Sequence, residues 1–452
     1  MSLIPTLAAV RYGTGLSPRI APPEGRDEMM HKLQAADLVV RRVPQPGWSA
    51  KLDMTRRWMQ FNSRSRRDPS EENRRRLRHQ STVLQRAFHE DATRMLVRAS
   101  ITADGFRERL AWFWANHFTV RDGGGLLRRS VVGYQEDAIR PYVTGTFSDL
   151  LTHAVLHPAM LLYLDQSSSV GPNSARAGGR RGLNENLARE VLELHTLGVE
   201  AGYSQVDVRE FAELLTGVTV SRDGALRFDA RAAEPGAERV LGTEYGGRQA
   251  RLSDVYRALE DLALHPATAA HVSRKLAVHF ISDAPPDNLI ARMVHRWRET
   301  GGNLLRVYDA MLDHPAAWQP DLTRVRRPLE LMAATARALG IGAELTSLAG
   351  RDVRQRVLSP LAAMGQPFQR PAGPDGWPED PEAWITPQGL AERIAWAMKA
   401  PGWVPEMPDP RDFVDTALGP LASARTRFAA TAAEDRAAGI GLVLSSPEFQ
   451  RR

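Results

Sequence analysis

The sequence predicts a mainly α, multi-helical protein with a small β-hairpin insertion, on three observations. Apolar residues recur at helical spacing along most of the chain. Phe106, Leu110, Phe113, Trp114, His117 and Phe118, for example, share one face at about 100° per residue. Helix-start signals, a polar residue followed by Pro, recur at His157-Pro158-Ala159, His265-Pro266-Ala267, His314-Pro315-Ala316 and Ser446-Pro447-Glu448. Strand-like alternation is confined to residues 218 to 245.

In chain order, the segment to about residue 45 is punctuated by Pro and Gly, and a helical pattern follows from Gly47 to Leu110. It carries the densest basic run, RSRRDPSEENRRRLR (64–78), which lacks interleaved aromatics. That run reads as an exposed helix or linker, with no nucleic acid as partner. The next helix should end at the glycines of RDGGG (121–125), with His117 pointing inward. The His-Pro-Ala corners read as helix starts, not as histidine ligands, and their uneven spacing argues against a solenoid. VTVSRDGALRF (218–228), with its Asp223-Gly224 turn, predicts a short hairpin. Helices resume from Leu252 to Leu339 and again after a Pro/Gly/Trp loop, GQPFQRPAGPDGWPEDPEAWITP (365–387). The 452 residues thus form one unit: an N-terminal helical lobe (1–217), a β excursion (218–250) and a C-terminal helical lobe (251–452).

Composition excludes several chemistries. The chain has no cysteine, so disulfides, thiolate metal sites and a Cys nucleophile are ruled out. No apolar run approaches the roughly 20 residues needed to cross a bilayer. The N-terminus has no basic n-region and is too weakly apolar for a signal peptide, so a cytoplasmic location is expected; periplasmic location by co-export with a partner is the alternative. Of 59 basic residues only Lys32, Lys51, Lys275 and Lys399 are lysines, leaving 55 arginines. Such a bias fits a GC-rich genome, and arginine also suits bidentate contacts with carboxylate, sulfate or phosphate.

Candidate chemistry concentrates in residues 165–217. A Ser/Gly/Arg loop with Arg176, Arg180 and Arg181 precedes a helix that Asn184 can cap and Gly198 can end. Arginines before a helix N-terminus can hold an anion, although Glu185 competes for that position and no P-loop or dinucleotide fingerprint points to a nucleotide or other known cofactor. On a helical wheel Glu185, Asn186, Arg189, Glu190, Glu193 and Thr196 form a polar face, with His195 on the apolar side. Glu190 and His195 lie about 140° apart, and Glu193 and His195 about 160°, too far for one helix to bring them to a common metal. Glu190 and Glu193, i and i+3 and about 60° apart, can act as a carboxylate pair in which one charge keeps its neighbour protonated. The same residues also read as i, i+4 ion pairs (Glu185, Arg189, Glu193) on an ordinary wet helix. His117 and His195 equally read as hydrogen-bonded core histidines. Ser204 to Asp207 looks like a capping box opening a second helix with Val208, Phe211, Ala212 and Leu215 as its apolar stripe.

AWFWANHFTV (111–120), HPAMLLYLDQ (157–166), SVGPNSARAGGRRGLNENLAREVLELHTLGV (169–199), GYSQVDVREFAELLTG (202–217) and HPATAAHVSRKLAVHF (265–280) resemble signature blocks of the bacterial domain of unknown function 1800 family (DUF1800). The likeness runs from AAVRYGTGLSPR (8–19) to SSPEF (445–449). It implies a polar signature at Asn116, His117, Asn184, Glu185, Asn186, Arg189, Glu190, Glu193 and His195, and no settled activity. It also implies a possible partner, a sulfatase-like protein of the 1501 unknown-function family, and frequent export. Two departures stand out: Ala233-Glu234-Pro235-Gly236 where the family often has His-Glu-Pro-Gly, and Gln166 where an Asn is usual. If the missing histidine is catalytic in relatives, this chain is weakened or inactive.

Three functions follow as expectations. In the first, hydrolytic or lyase-like chemistry acts on an anionic small molecule or saccharide, with Glu190 and Glu193 as acid and base and His117 and His195 relaying protons. Asn116, Asn184, Asn186, Arg189 and the loop arginines would then bind substrate. The alternatives are a non-catalytic helical partner of a sulfatase-like protein and a metal-dependent oxidoreductase.

Overall fold

Helix accounts for 62% of the chain in the computed structural model, which describes residues 2–179 and 182–452. Among the described residues strands occur only in two antiparallel hairpins, Val218–Val220 with Leu226–Phe228 and Gly236–Val240 with Thr243–Gly247. The second hairpin adds to the one that Asp223-Gly224 signals. It turns at Leu241 and Gly242, both with positive φ (50° and 82°). A two-residue turn needs that conformation, but leucine seldom adopts it, so the sequence lacks the usual Asn-Gly or Asp-Gly mark.

The helix Trp48–Arg67 folds back on Glu71–Ile101. Most of the arginine run lies exposed around the bend, with Glu71 and Glu72 pairing Arg78 and Arg76. Nearer the core, Lys51 donates to both oxygens of Asp91 at 2.5 and 2.6 Å, with each side chain 1% exposed. The His-Pro-Ala corners are helix caps: Nδ1 of His157, His265 and His314 accepts from the backbone N–H of Ala159, Ala267 and Ala316 at 3.1, 3.2 and 3.1 Å. The capping box closes as expected, with Ser204 and Asp207 bonded reciprocally at the start of Gln205–Leu214.

The helix Gly105–His117 stops six residues before Gly123, the first of the glycines expected to end it. Side chains satisfy its C-terminal carbonyls instead, Thr119 Oγ1 donating to Asn116 O (2.6 Å) and Tyr134 Oη to Phe118 O (3.0 Å). This helix is the seam of the molecule. Phe113 and Trp114 belong to the larger core, which runs from Ala8 to Ala317; Trp112 packs on the smaller core, built from residues 92–99, Val132 and 331–449. The helices between Leu252 and Leu312 therefore share a core with the first half of the chain. Trp114 is tied in by Nε1 to Tyr308 Oη at 2.7 Å, and that hydroxyl donates onward to Val143 O. Among the described residues no helix is long and apolar enough to cross a membrane.

The Lys51–Asp91 pair sets a stability prediction. Asp91→Asn strands a buried ammonium and should cost about 3–5 kcal/mol in urea unfolding. Lys51→Met with Asp91→Leu, which removes both charges, should recover most of that loss. An Asp91→Asn variant as stable as the parent would show that the pair does not hold the hairpin.

Candidate functional site

Asn184 lies at the start of the central helix. Its Oδ1 accepts from Asn186 N at 2.9 Å, Nδ2 reaches the carbonyls of Leu164 (3.4 Å) and Asp165 (3.3 Å), and its N–H donates to Ser169 Oγ at 3.0 Å. The N-cap position falls to Glu185, one residue later than expected, and Asn184 instead ties the start of the helix to the loop before it. The α-helical turn Asn186–Glu190 then widens into a π-helical turn, Val191–His195, closed by Thr196 Oγ1 donating to Val191 O at 2.7 Å. A single α-helix through Thr196 is therefore not what forms. Residues five apart stack across a π turn, so the 140° between Glu190 and His195 does not carry through it. The two still face different groups, described below.

A layer of histidines accepts the end of this helix. His117 Nε2 donates to His195 O at 3.1 Å, and His271 Nε2 donates to Leu194 O at 3.3 Å. The rings of His117 and His195 lie 5.9 Å apart, and the two residues are 3% and 1% exposed. His117 Nδ1 and both ring nitrogens of His195 have no hydrogen-bond partner among the described residues. Gly198 is required here. Its φ is +88°, and a Cβ would sit 2.7 Å from His271 Nδ1. Burial first, then the nearby Lys275, pushes all three imidazoles down: His117 well below its ordinary value, His195 to about 3 and His271 to about 4. All are neutral at pH 7.

The helix Pro266–Phe280 carries His271, Lys275 and His279 at four-residue spacing on one face. His279 Nδ1 donates to Glu379 Oε1 (2.7 Å) while its Nε2 accepts from Arg109 (2.9 Å), a pattern that fits only the neutral ring. Burial, opposed by Glu379, pushes it down to about 3. Glu379 is also held by Arg324 and by Arg327 at 2.7 Å. Burial works against its charge, but Arg327 and then His279 keep the carboxyl well below the usual range. Beneath it, Glu330 takes Arg452 at 2.8 Å and Arg109 at 3.2 Å.

Glu379 comes from the 365–387 loop, and Asn116 clasps that loop over the seam. Asn116 Oδ1 accepts from Trp377 N at 2.7 Å, and Nδ2 donates to Trp377 O at 3.1 Å. Gly376 has φ +78° with Asn116 O 2.6 Å from where a Cβ would lie, so only glycine fits under the clasp.

On the polar face Arg189 is bonded to Glu185 (3.1 Å), Glu193 (3.3 Å) and Gln205 (2.9 Å), the ion-pair ladder that the spacing allowed. Burial, and then the nearby Glu193, raise the phenol of Tyr203. Glu190 differs. It is half-buried and has no ion-pair partner among the described residues. Burial, then Glu193 and Asp375, raises its carboxyl above the ordinary value, with Arg189 opposing. Tyr163 is close to Glu190, Asp375 and Arg121, which all act on its phenol after burial has raised it.

The residues singled out from sequence therefore fall in three places. Asn116, His117, Asn184, Arg189, Glu190, Glu193 and His195 frame one region, with Asn186 exposed at its rim. Arg176 is turned away into an ion pair with Asp229 at 2.9 Å. Arg180 and Arg181 lie outside the described residues. Sequence reading missed His271, Lys275, Asp375 and Glu379. The His271-x3-Lys275-x3-His279 stripe was the available signal for the helical members; Asp375 and Glu379 sit in an aperiodic loop with none. The two departures from the family pattern are also structural here. Gln166 is buried and donates to Leu215 O at 2.8 Å, and Glu234, beside buried Ala233, accepts from Asn173 N (2.9 Å) and Nδ2 (2.6 Å).

The buried neutral imidazoles set a pH dependence. The unfolded chain takes up protons on these histidines from about pH 6.5 downward, where the folded chain does not, so stability falls as pH falls from there. His195→Asn should make that slope shallower by up to one proton, about 1.4 kcal/mol per pH unit, between pH 6.5 and 4.5 in urea unfolding. An unchanged slope would mean that His195 is protonated in the folded protein.

Residues 13–451 match the family described as protein of unknown function (DUF1800), nearly the whole chain. No curated protein and no solved structure matches it. With the match unbroken from one end of the fold to the other, the chain belongs to the DUF1800 family.

Proposed function

We propose that this chain is an enzyme that performs hydrolytic or lyase-like chemistry on an anionic substrate, a small molecule or saccharide, with Glu190 as proton donor. The observation that carries the reading is the Glu190 carboxyl, unpaired among the described residues and shifted toward its protonated form by burial, Glu193 and Asp375. A carboxyl whose protonated form is favoured by its surroundings suits general-acid catalysis. Glu193, held by Arg189, supplies the neighbouring charge. Arg121, exposed at the rim, gives an anionic substrate its counter-charge.

One observation favours the other reading, a non-catalytic helical partner of a sulfatase-like protein. Two of the three partners of Arg189 lie on its own helix, as on any solvent-facing surface.

Glu190→Gln separates the two. For the enzyme, the fold stays intact and turnover on sulfated or carboxylated saccharides drops at least about a hundredfold. The raised folded value also has a sign for stability. The group stabilises the fold fully below its unfolded pKa, and that contribution is lost as pH rises through the folded value. Glu190→Gln should therefore match the parent in thermal melting at pH 4 and exceed it at pH 7. Wild-type turnover by the variant on a verified substrate removes Glu190 from the chemistry.

A further inference from the structure

We propose that Lys275 is a proton acceptor, an amine without a partner among the described residues that lies on its helix between His271, bonded to Leu194 O, and His279, bonded to Glu379. The proposal rests on the acid–base reading above and supplies the partner that Glu190 lacks. Glu193 is committed to Arg189, so its helix offers no second free group.

Among the four lysines Lys275 is set apart by what surrounds it. Lys32 pairs with Glu28 at 2.7 Å, Lys51 is locked to Asp91, and Lys399 is exposed. Lys275 is half-buried and has no hydrogen-bond or ion-pair partner among the described residues. The groups around it come from five segments of the chain. His117 belongs to Gly105–His117, His195 to the π turn, and His271 lies one turn before it on its own helix. Asp375 and Glu379 lie in the 365–387 loop, and Arg327 precedes Pro328–Ala338. The imidazoles are neutral, Glu379 is already shared by Arg324, Arg327 and His279, and Asp375 is not within ion-pair distance of Lys275. Burial pushes Lys275 down to about 8, with Arg327 adding to the push and Glu379 and Asp375 opposing it. An arginine at this position could not give up its proton, whereas a lysine there can.

The proton balance is simple. The Nζ lone pair takes a proton from a C–H of the substrate, the C–H electron pair becomes a new C=C bond, and the neighbouring C–O bond breaks with its electron pair leaving on the oxygen. Glu190 delivers its own proton to the oxygen that leaves. The ammonium then returns its proton to water, and Glu190 is reprotonated from water.

The test needs no substrate. The full chain is labelled with trace acetic anhydride from pH 6 to 11, alongside a free lysine amide as standard, and acetylation at each lysine is read by peptide mass spectrometry. Lys275 should label with a midpoint near 8, well below the standard's value of about 10.4. A midpoint matching the standard, or no labelling at any pH, overturns the proposal. A second arm uses Lys275→Arg, which keeps charge and bulk, and Lys275→Met, which checks that a neutral side chain is tolerated. Both should melt like the parent, and both should lose at least about a hundredfold in turnover on a substrate the parent converts. Either variant turning over at the parent rate overturns it. Loss of turnover in Glu190→Gln with an ordinary Lys275 midpoint rejects this proposal alone. A midpoint near 8 with full activity in Glu190→Gln rejects the Glu190 reading alone.

Discussion

Glu379 is the charge on which the meeting of the two cores depends. Its carboxylate joins His279, on a helix of the larger core, to Arg324 and Arg327, at the entrance to a helix of the smaller one. Behind it Glu330 binds Arg109 and Arg452, so residues far apart in sequence converge on two carboxylates. Charges taken out of water are tolerated only when they are paired and their remaining donors satisfied. A network of this kind contributes more to where its members sit than to net stability, because any other arrangement strands one of them. That is how a loop without periodic structure comes to lie in one place over the Asn116–His117 corner.

Arginine does a second kind of work in the interior. Arg337 donates to the carbonyls of Gly15, Ala99, Ser100 and Thr102; Arg107 to those of Leu33 and Ala35; Arg393 to those of Trp384 and Arg326. A protein with this many loops leaves many backbone carbonyls without helix or sheet partners, and each must be satisfied when buried. The guanidinium fork reaches several at once, and its weak hydration makes burial tolerable. The bias of 55 arginines to four lysines therefore has structural use whatever its origin.

Legibility in the sequence followed locality. The capping box at Ser204, the His-Pro-Ala corners and the hairpin at Asp223-Gly224 are set by residues within a few positions of one another, and all form. The helix end at His117 was placed too late because its stop comes from Tyr134 and Thr119, not from the glycines. The polar face of the 186–195 helix was legible, but the π turn within it was not. It depends on donors from two distant helices, and a wheel drawn at uniform spacing has no way to include them. Lys275 and Glu379 entered the site only through tertiary packing, a hundred residues apart in the chain.

The histidines show why residue type alone could not separate structure from site. At the corners Nδ1 accepts a backbone N–H two residues on, so the ring is spent on a local cap and the adjacent Pro announces it. At the site the donor is Nε2, and it serves carbonyls that the π turn leaves at its end. Those carbonyls of Leu194 and His195 need donors from outside their own helix, and neutral imidazoles supply them without bringing a charge inside. The consequence is positional. The bonds of His117 and His271 fix the Gly105–His117 and Pro266–Phe280 helices against the helix that bears Glu190, and Lys275, one turn beyond His271, is carried with them. A regular α-helix through His195 would use those carbonyls differently and loosen both helices. The irregular turn is thus what sets the lysine and the glutamate in one frame.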